Sequence, residues 1–343
     1  MKNIIVYCEI TEEKQIADVS LELLSKGRKL ADQLGVKLEA LVFTDKVGTT
    51  IENINDFGVD VIYLAEHKEL FPYRTQPHFN LVKVIFEQEQ PEIALFGATS
   101  AGRDLAPRVA STLRCGLTAD CTSLEIGDHT ETKTGKEYKN LLYQIRPAFG
   151  GNIIATIINP ETRPQMATVR EGVMKLEKTT QKKKAEIKTV EVSKYLKSED
   201  FLVEILERHI EKQKVNLKTA PIIVAGGYGV GSKENFKLLY DLAAVLGGEV
   251  AATRAAVDAG YSEHERQVGQ TGVTVRPKLY IACGISGAVQ HRAGMDQAAK
   301  IISINTDANA TINFIADYAI IGDLTEVLPK MIEKYKKQLT KNR

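Results

Sequence analysis

Leu279–Cys283 (LYIAC) is an uninterrupted apolar run of strand length, closed at once by Gly284 and Gly287 in GISG, and this pairing narrows the fold more than any other stretch. Five apolar residues without polar alternation describe a strand covered on both faces, as in a parallel sheet. The two glycines let the backbone bend after the strand and approach a ligand closely. Ala288–Ala299 then has helical character, so the amides of its first turn would face the carboxyl edge of the strand, a geometry suited to a diphosphate. Such a turn taken alone serves equally well as a tight connection.

A chain of 343 residues exceeds the size at which one core keeps growing, and 43% apolar residues can supply two. Lys plus Arg (45) balances Asp plus Glu (44), which removes any broad electrostatic case for nucleic acid or an anionic membrane surface. MKNIIVYCEITEE runs straight into a strand pattern without a signal-peptide core, and no stretch has the roughly 18 apolar residues of a membrane span. No membrane insertion and a cytoplasmic location are expected. Cys8, Cys115, Cys121 and Cys283 lack metal-ligand spacing and read as buried, reduced thiols.

The first half alternates strand and helix patterns: NIIVYCEI, a helix over 16–34, KLEALVFT, VDVIYLAE, a helix over 79–88, EIALFGAT and a helix over 103–113. This predicts a mostly parallel sheet with helices on both faces. Strand-rich segments after Gly116 (TADCTSLEI, NLLYQIRP, GNIIATIIN, QMATVREG) are expected to finish its edge. The Lys-rich run over 177–197 reads as solvated strand and linker, and Ser198–Lys212, with Phe201, Ile205, Leu206 and Ile210 on one face, reads as a helix. The expected organisation is an N-terminal α/β domain over 1–197, a linker helix and hinge over 198–216, and a second α/β domain over 217–343 with a C-terminal helix. The second begins APIIVAGGYGVGSKENF, where Ser232 is expected to cap a helix closed by Gly247. Its glycines do not form GxGxxG, which weakens the alternative of an NAD-dependent oxidoreductase, and no acid/base or nucleophile constellation emerges. Of the histidines, only His291 lies in a motif; His67, His78, His129, His209 and His264 are expected to be exposed.

TRAAVDAG (253–260), QVGQTG (267–272), GISGAVQH (284–291), SINTD (303–307) and ADYAIIGDL (316–324) together resemble, in order and spacing, the flavin-binding domain of the electron transfer flavoprotein alpha subunit. The resemblance is dense over 221–329 and extends more weakly to GATSAGRDLAPRVA (97–110), GLTADC (116–121) and RPAFGGN (146–152). It implies a doubly wound FAD-binding fold for the second domain, one FAD, a heterodimer with a beta subunit docked through the first domain, and electron shuttling from an acyl-CoA dehydrogenase-type partner. It leaves open both a simple carrier and a flavin-based bifurcating complex using NADH with ferredoxin or flavodoxin.

Carried over by motif, Arg254 lies over the isoalloxazine ring and His291 donates toward a ring oxygen. Val268, Gln270, Thr271 and Gly272 form the loop at the ring's N5 edge. Ser286, Gly287, Ala288 and Gln290 hold the ribityl and phosphate portion, Asn305 and Asp323 the adenosine end, and Gly227, Tyr228 and Thr253 complete the site. Two departures matter: Tyr228 stands where many members carry Arg, removing a phosphate contact, and Thr253 replaces a common Ser while keeping the hydroxyl.

Overall fold

The computed structural model describes residues 2–48, 50–148, 153–179, 184–208, 215–218 and 220–341. The described residues cluster into two compact units, one up to Arg208 and one from Val215 onward.

In the first unit the strands are β1 (Ile4–Cys8), β2 (Leu38–Thr44), β3 (Val61–Glu66), β4 (Ile93–Gly97), β5 (Leu117–Cys121), β6 (Ser123–Thr130), β7 (Glu137–Ala148), β8 (Ile153–Ile157), β9 (Gln165–Val169) and β10 (Glu186–Thr189). Seven of them make an all-parallel sheet, ordered β10-β3-β2-β1-β4-β9-β5. Helices α1 (Asp18–Leu34), α2 (Thr75–Glu89), α3 (Ser100–Leu113) and α4 (Val192–Tyr195) accompany it. Strand β1 shows why both faces are covered: Ile4, Val6 and Cys8 enter one apolar core with Leu23 and Leu24 of α1, while Ile5 and Tyr7 enter another with residues of α2 and α3.

Three expectations change here. The segments over 123–157 do not finish the parallel edge but form a separate antiparallel sheet, β6-β7-β8, while β9 inserts between β4 and β5. Ser198–Lys212 is not one helix: a 3-10 turn spans Ser198–Phe201 and Leu202–Arg208 has no regular structure, with Leu202 and Leu206 82% and 88% exposed. A short helix depends on packing its apolar face, and these side chains have none to pack on; positions 209–214 of that expected helix, with His209, lie outside the described residues. His78 is buried, and His67 half-buried, instead of exposed. The four cysteines are free, Cys115 only half-buried.

In the second unit, β11 (Ile222–Gly226), β12 (Glu249–Ala252), β13 (Leu279–Cys283), β14 (Ile301–Asn305) and β15 (Tyr318–Ile321) form a parallel sheet ordered β12-β11-β13-β14-β15. Its helices are α5 (Phe236–Leu246), α6 (Arg254–Asp258), α7 (Val289–Arg292) and α8 (Leu324–Lys341). From β11 the chain first steps to one side and then returns to the other, so the build direction reverses between β11 and β13, and a crevice opens beyond the carboxyl ends of those strands. Gly247 closes α5 with φ 69° as expected, but Ser232 is not its cap; the Ser232 hydroxyl accepts the Asn235 amide at 3.2 Å in a turn before the helix. Ala288–Ala299 is not a continuous helix, since α7 is a single turn. The backbone there supports a neighbouring loop: the Gln290 carbonyl accepts Gln270 N (2.6 Å), the Gly294 carbonyl accepts Val275 N (2.8 Å), and a Cβ on Gly294 would lie 2.6 Å from Gly269 Cα. Among the described residues no helix is long and apolar enough to cross a membrane.

Candidate functional site

A cleft of about 740 Å³ occupies the crevice, walled by the turns that follow β11, β12, β13 and β14 and by the loop over 267–271. Two glycine turns make its floor. Gly227 N donates to the Cys283 carbonyl (2.9 Å) and Gly229 N to the Gly284 carbonyl (3.0 Å), so the turns after β11 and β13 touch backbone to backbone. A Cβ on Gly229 would meet Gly284 O at 2.8 Å, and one on Gly284, whose φ is +60°, would meet Gly229 C at 2.6 Å. Side chains are thereby excluded where two strand ends converge.

Most of the residues expected from sequence come together here: Gly227, Tyr228, Thr253, Arg254, Val268, Gln270, Thr271, Ser286, Ala288, Gln290, His291 and Asn305 all line the cleft. Thr253 N bonds Gly226 O (2.9 Å) and its hydroxyl caps α6 by accepting Ala256 N (3.3 Å), which sets Arg254 on the first turn of that helix. The Arg254 guanidinium is 69% exposed and paired with Asp258 at 3.4 Å. Tyr228, 64% exposed, stacks on Tyr261 with centroids 5.9 Å apart. Asn305 ties two turns together: its Nδ2 donates to Ile285 O (2.8 Å) and its Oδ1 accepts Asp307 N (3.0 Å).

Three expected residues stand elsewhere. Asp323 is not a wall of the cleft but the cap of α8, its Oδ1 accepting the amide and hydroxyl of Thr325 at 2.8 and 2.7 Å. Gly287 lies behind the wall, where φ +90° and a would-be Cβ 2.7 Å from Ile312 Cα show a packing requirement. Gly272 backs the loop rather than facing the cleft, its would-be Cβ lying 2.8 Å from Gln267 C.

The His291 ring, expected as a donor to the cofactor, is otherwise engaged. Nδ1 lies 2.9 Å from the Val268 carbonyl, which can only accept, so Nδ1 carries the proton; Nε2, 3.0 Å from the Tyr280 hydroxyl, then accepts. Burial lowers its pKa to about 4, keeping the imidazole neutral near pH 7. Arg254 is therefore the one cationic side chain among the described lining residues, opposed by Asp258 and Asp307.

Asp258, Gln267 and Asp307 were missed as lining residues, although each sits inside a motif that had been singled out. The signal for Asp258 was its spacing of four from Arg254, the i,i+4 separation of a helix face. Gln267 could be found only once the loop was seen to fold over it.

These walls suit a flat, extended, anionic dinucleotide: side-chain-free turns at a carboxyl sheet edge, polar groups on Ser286, Gln290 and Asn305 along one stretch, and one exposed guanidinium with a hydroxyl on Thr271 at another. The comparisons with known proteins agree. Residues 4–195 match the electron transfer flavoprotein domain and residues 216–296 the electron transfer flavoprotein FAD-binding domain. Protein FixB of Clostridium saccharobutylicum is 48% identical over 98% of this chain and 96% of its own length. Electron transfer flavoprotein subunit alpha of Thermoanaerobacterium thermosaccharolyticum is 44% identical, covering 98% of both chains. The acryloyl-CoA reductase electron transfer subunit beta of Anaerotignum propionicum is 39% identical over 98% of this chain and 96% of its own. The cofactor of the second unit is FAD, and the chain belongs to the electron transfer flavoprotein alpha-subunit family.

Proposed function

We propose that this chain is the FAD-carrying half of a heterodimeric electron carrier that accepts electrons from an acyl-CoA dehydrogenase-type partner and delivers them to a second redox protein. The observation that carries this reading is the cleft itself, with one exposed cation, Arg254, and a hydroxyl, Thr271, facing the cofactor space, while its buried histidine is neutral and committed to protein partners. FAD, when bound, supplies the uptake and release of electrons. With FAD bound, Arg254 would offset negative charge gained by the ring, the turns that meet at Gly227 and Gly284 would leave room for the diphosphate, and Asn305 would hold the turn at the adenosine end. The relative that serves as electron transfer subunit of an acryloyl-CoA reductase supports a partner acting on an acyl-CoA.

Docking of a beta subunit is assigned to the first unit. Its antiparallel sheet ends in β8, an edge strand on which Ile153 and Ile154 are 52% and 73% exposed, apolar surface that a lone soluble unit rarely presents on an unpaired edge.

Co-expression with the beta subunit tests the proposal. The expected product is a yellow 1:1 heterodimer by size exclusion whose flavin is reduced by an acyl-CoA dehydrogenase and its substrate. A colourless protein that binds nicotinamide nucleotide instead would overturn it in favour of an NAD-dependent oxidoreductase. Adding NADH, ferredoxin and a 2-enoyl-CoA to the heterodimer and its dehydrogenase separates the carriers: ferredoxin reduction coupled to reduction of the enoyl-CoA to the acyl-CoA marks a bifurcating complex, its absence a simple shuttle.

A further inference from the structure

Gln267 is an amide side chain with only 3% of its surface exposed, set beneath the loop at the cofactor cleft. Its backbone is fully engaged: N donates to His264 O (3.0 Å), and O accepts Val273 N (2.8 Å), which folds 267–273 back on itself. Gly272 permits that closure, since a Cβ there would sit 3.0 Å from Gln267 Cγ. Inside the closed loop Gln267 Nε2 donates to Thr271 Oγ1 at 3.0 Å. A threonine hydroxyl has one proton and two lone pairs, so a hydroxyl that accepts from a buried amide has its own proton turned away from that amide. Thr271 is exposed and lines the cleft, so the cleft is open to that proton.

We propose that Gln267 is a positioning residue that fixes the Thr271 hydroxyl as a hydrogen-bond donor to an acceptor atom of the flavin ring. The proposal rests on the reading that Thr271 faces the ring of bound FAD. With the amide in place the hydroxyl is pre-oriented as a donor before the cofactor enters, and the cost of ordering it is met on folding rather than on binding. The same donor bears unequally on oxidised and reduced flavin, because reduction changes the charge and protonation of the ring edge it addresses, so Gln267 acts on potential as well as affinity.

Three substitutions at two positions separate this role from simple packing. Gln267→Glu is a near-isosteric acceptor that captures the Thr271 proton; Gln267→Met keeps the bulk and removes the polar contact; Thr271→Val deletes the hydroxyl. Each is made in the heterodimer, with circular dichroism to check the fold. We expect Gln267→Glu to weaken FAD binding about fivefold, the worth of one hydrogen bond, and to shift the flavin midpoint potential in the same direction as Thr271→Val. Gln267→Met should give a smaller shift of the same sign. In a Thr271→Val background Gln267→Met should have no further effect, whereas in Thr271→Ser, which keeps the hydroxyl, it should act as in the parent. An unchanged potential in Gln267→Glu, or a Gln267→Met effect that adds to that of Thr271→Val, would overturn the proposal. If the unsubstituted heterodimer itself fails to bind FAD, the failure belongs to the reading of the cleft, and it is recognised before any variant is made.

Discussion

The two parallel sheets reach the same topological situation with opposite results. In the first unit the build direction reverses between β1 and β4, in the second between β11 and β13. Beyond β11 the chain continues as Gly227-Tyr228-Gly229, turns without side chains at the contact, and the crevice holds the cleft. Beyond β1 it continues as Glu9, whose carboxylate lies between the strand ends: Thr99 Oγ1, which also caps α3, donates to both its oxygens at 2.8 Å, and a Cβ on Gly97 would be 2.8 Å from its Oε1. The residue following the first strand at the reversal therefore decides whether the crevice is filled by the protein or left to a ligand. A second pair makes a complementary point. Tyr7 with His78 and Tyr280 with His291 are the same device, a buried neutral histidine held between a tyrosine hydroxyl and a carbonyl, the latter Leu70 in the first unit and Val268 in the second. Its recurrence in the first unit shows that the arrangement forms without a cofactor to organise it.

Four experiments bear on this contrast. The largest effect is expected from Gly284→Val, which forces a branched side chain into φ +60° and against the backbone of Gly229. Strain and steric conflict of more than about 3 kcal/mol should abolish FAD retention, read as the flavin-to-protein absorbance ratio after gel filtration. Retention of stoichiometric FAD would show that the glycine floor is dispensable.

Arg254→Ala should leave FAD bound but disfavour its reduction by roughly 1–4 kcal/mol, the span for one charge at contact distance between water and a protein surface. Arg254→Lys should restore part of this, because charge is kept while the planar fork is lost. A reductive titration with a reference dye measures both, and equal potentials in the three proteins would remove Arg254 from the ring.

The histidine pairs set the acid limb of stability. Burial lowers His78 and His291 from the ordinary 6.5 to about 4, so below pH 6.5 the unfolded chain takes up protons that the folded chain refuses. Stability is thus full above 6.5 and falls as pH drops toward 4, by roughly 2 kcal/mol for each histidine at pH 5, from 1.36 kcal/mol per pH unit. Urea unfolding of the apoprotein at pH 7 and 5 should show the loss, and His78→Gln should remove about half of it; an unaltered pH dependence in that variant would sink the assignment.

The smallest effect belongs to Glu9, which acts in the opposite sense. Burial, reinforced by Glu171 and relieved in part by Thr99, raises its carboxyl to about 7. Its folded form favours the proton, so its contribution is held below pH 4.5 and lost as pH rises through 7. Glu9→Gln should therefore gain stability relative to the parent between pH 5 and 8, by about 1–2 kcal/mol once residual solvent contact is discounted. An equal difference at both pH values would mean that Glu9 is not filling a desolvated crevice.

The parallel sheets were legible because their signal is local. Ile4–Cys8, Ala40–Phe43 and Leu279–Cys283 are continuous apolar runs, and burial on both faces leaves no other economical place for them. The cleft-lining motifs could likewise be read in order along the chain, since glycines at strand ends and the polar residues beside them announce a turn that approaches something closely. What could not be read was set by partners distant in sequence. The 123–157 strands pair with one another and not with the parallel sheet, because hydrogen-bonding edges are chosen between strands already in place. Leu202 and Leu206 keep helical spacing without a face to cover. Ala288–Ala299 gives up all but one turn because the 267–275 loop takes its carbonyls. Gln267 is ordinary in sequence yet is brought under Thr271 by the closing loop. Periodicity reports what a segment prefers on its own; the direction of each donor and acceptor depends on which neighbour reaches it, and that neighbour is supplied by the fold.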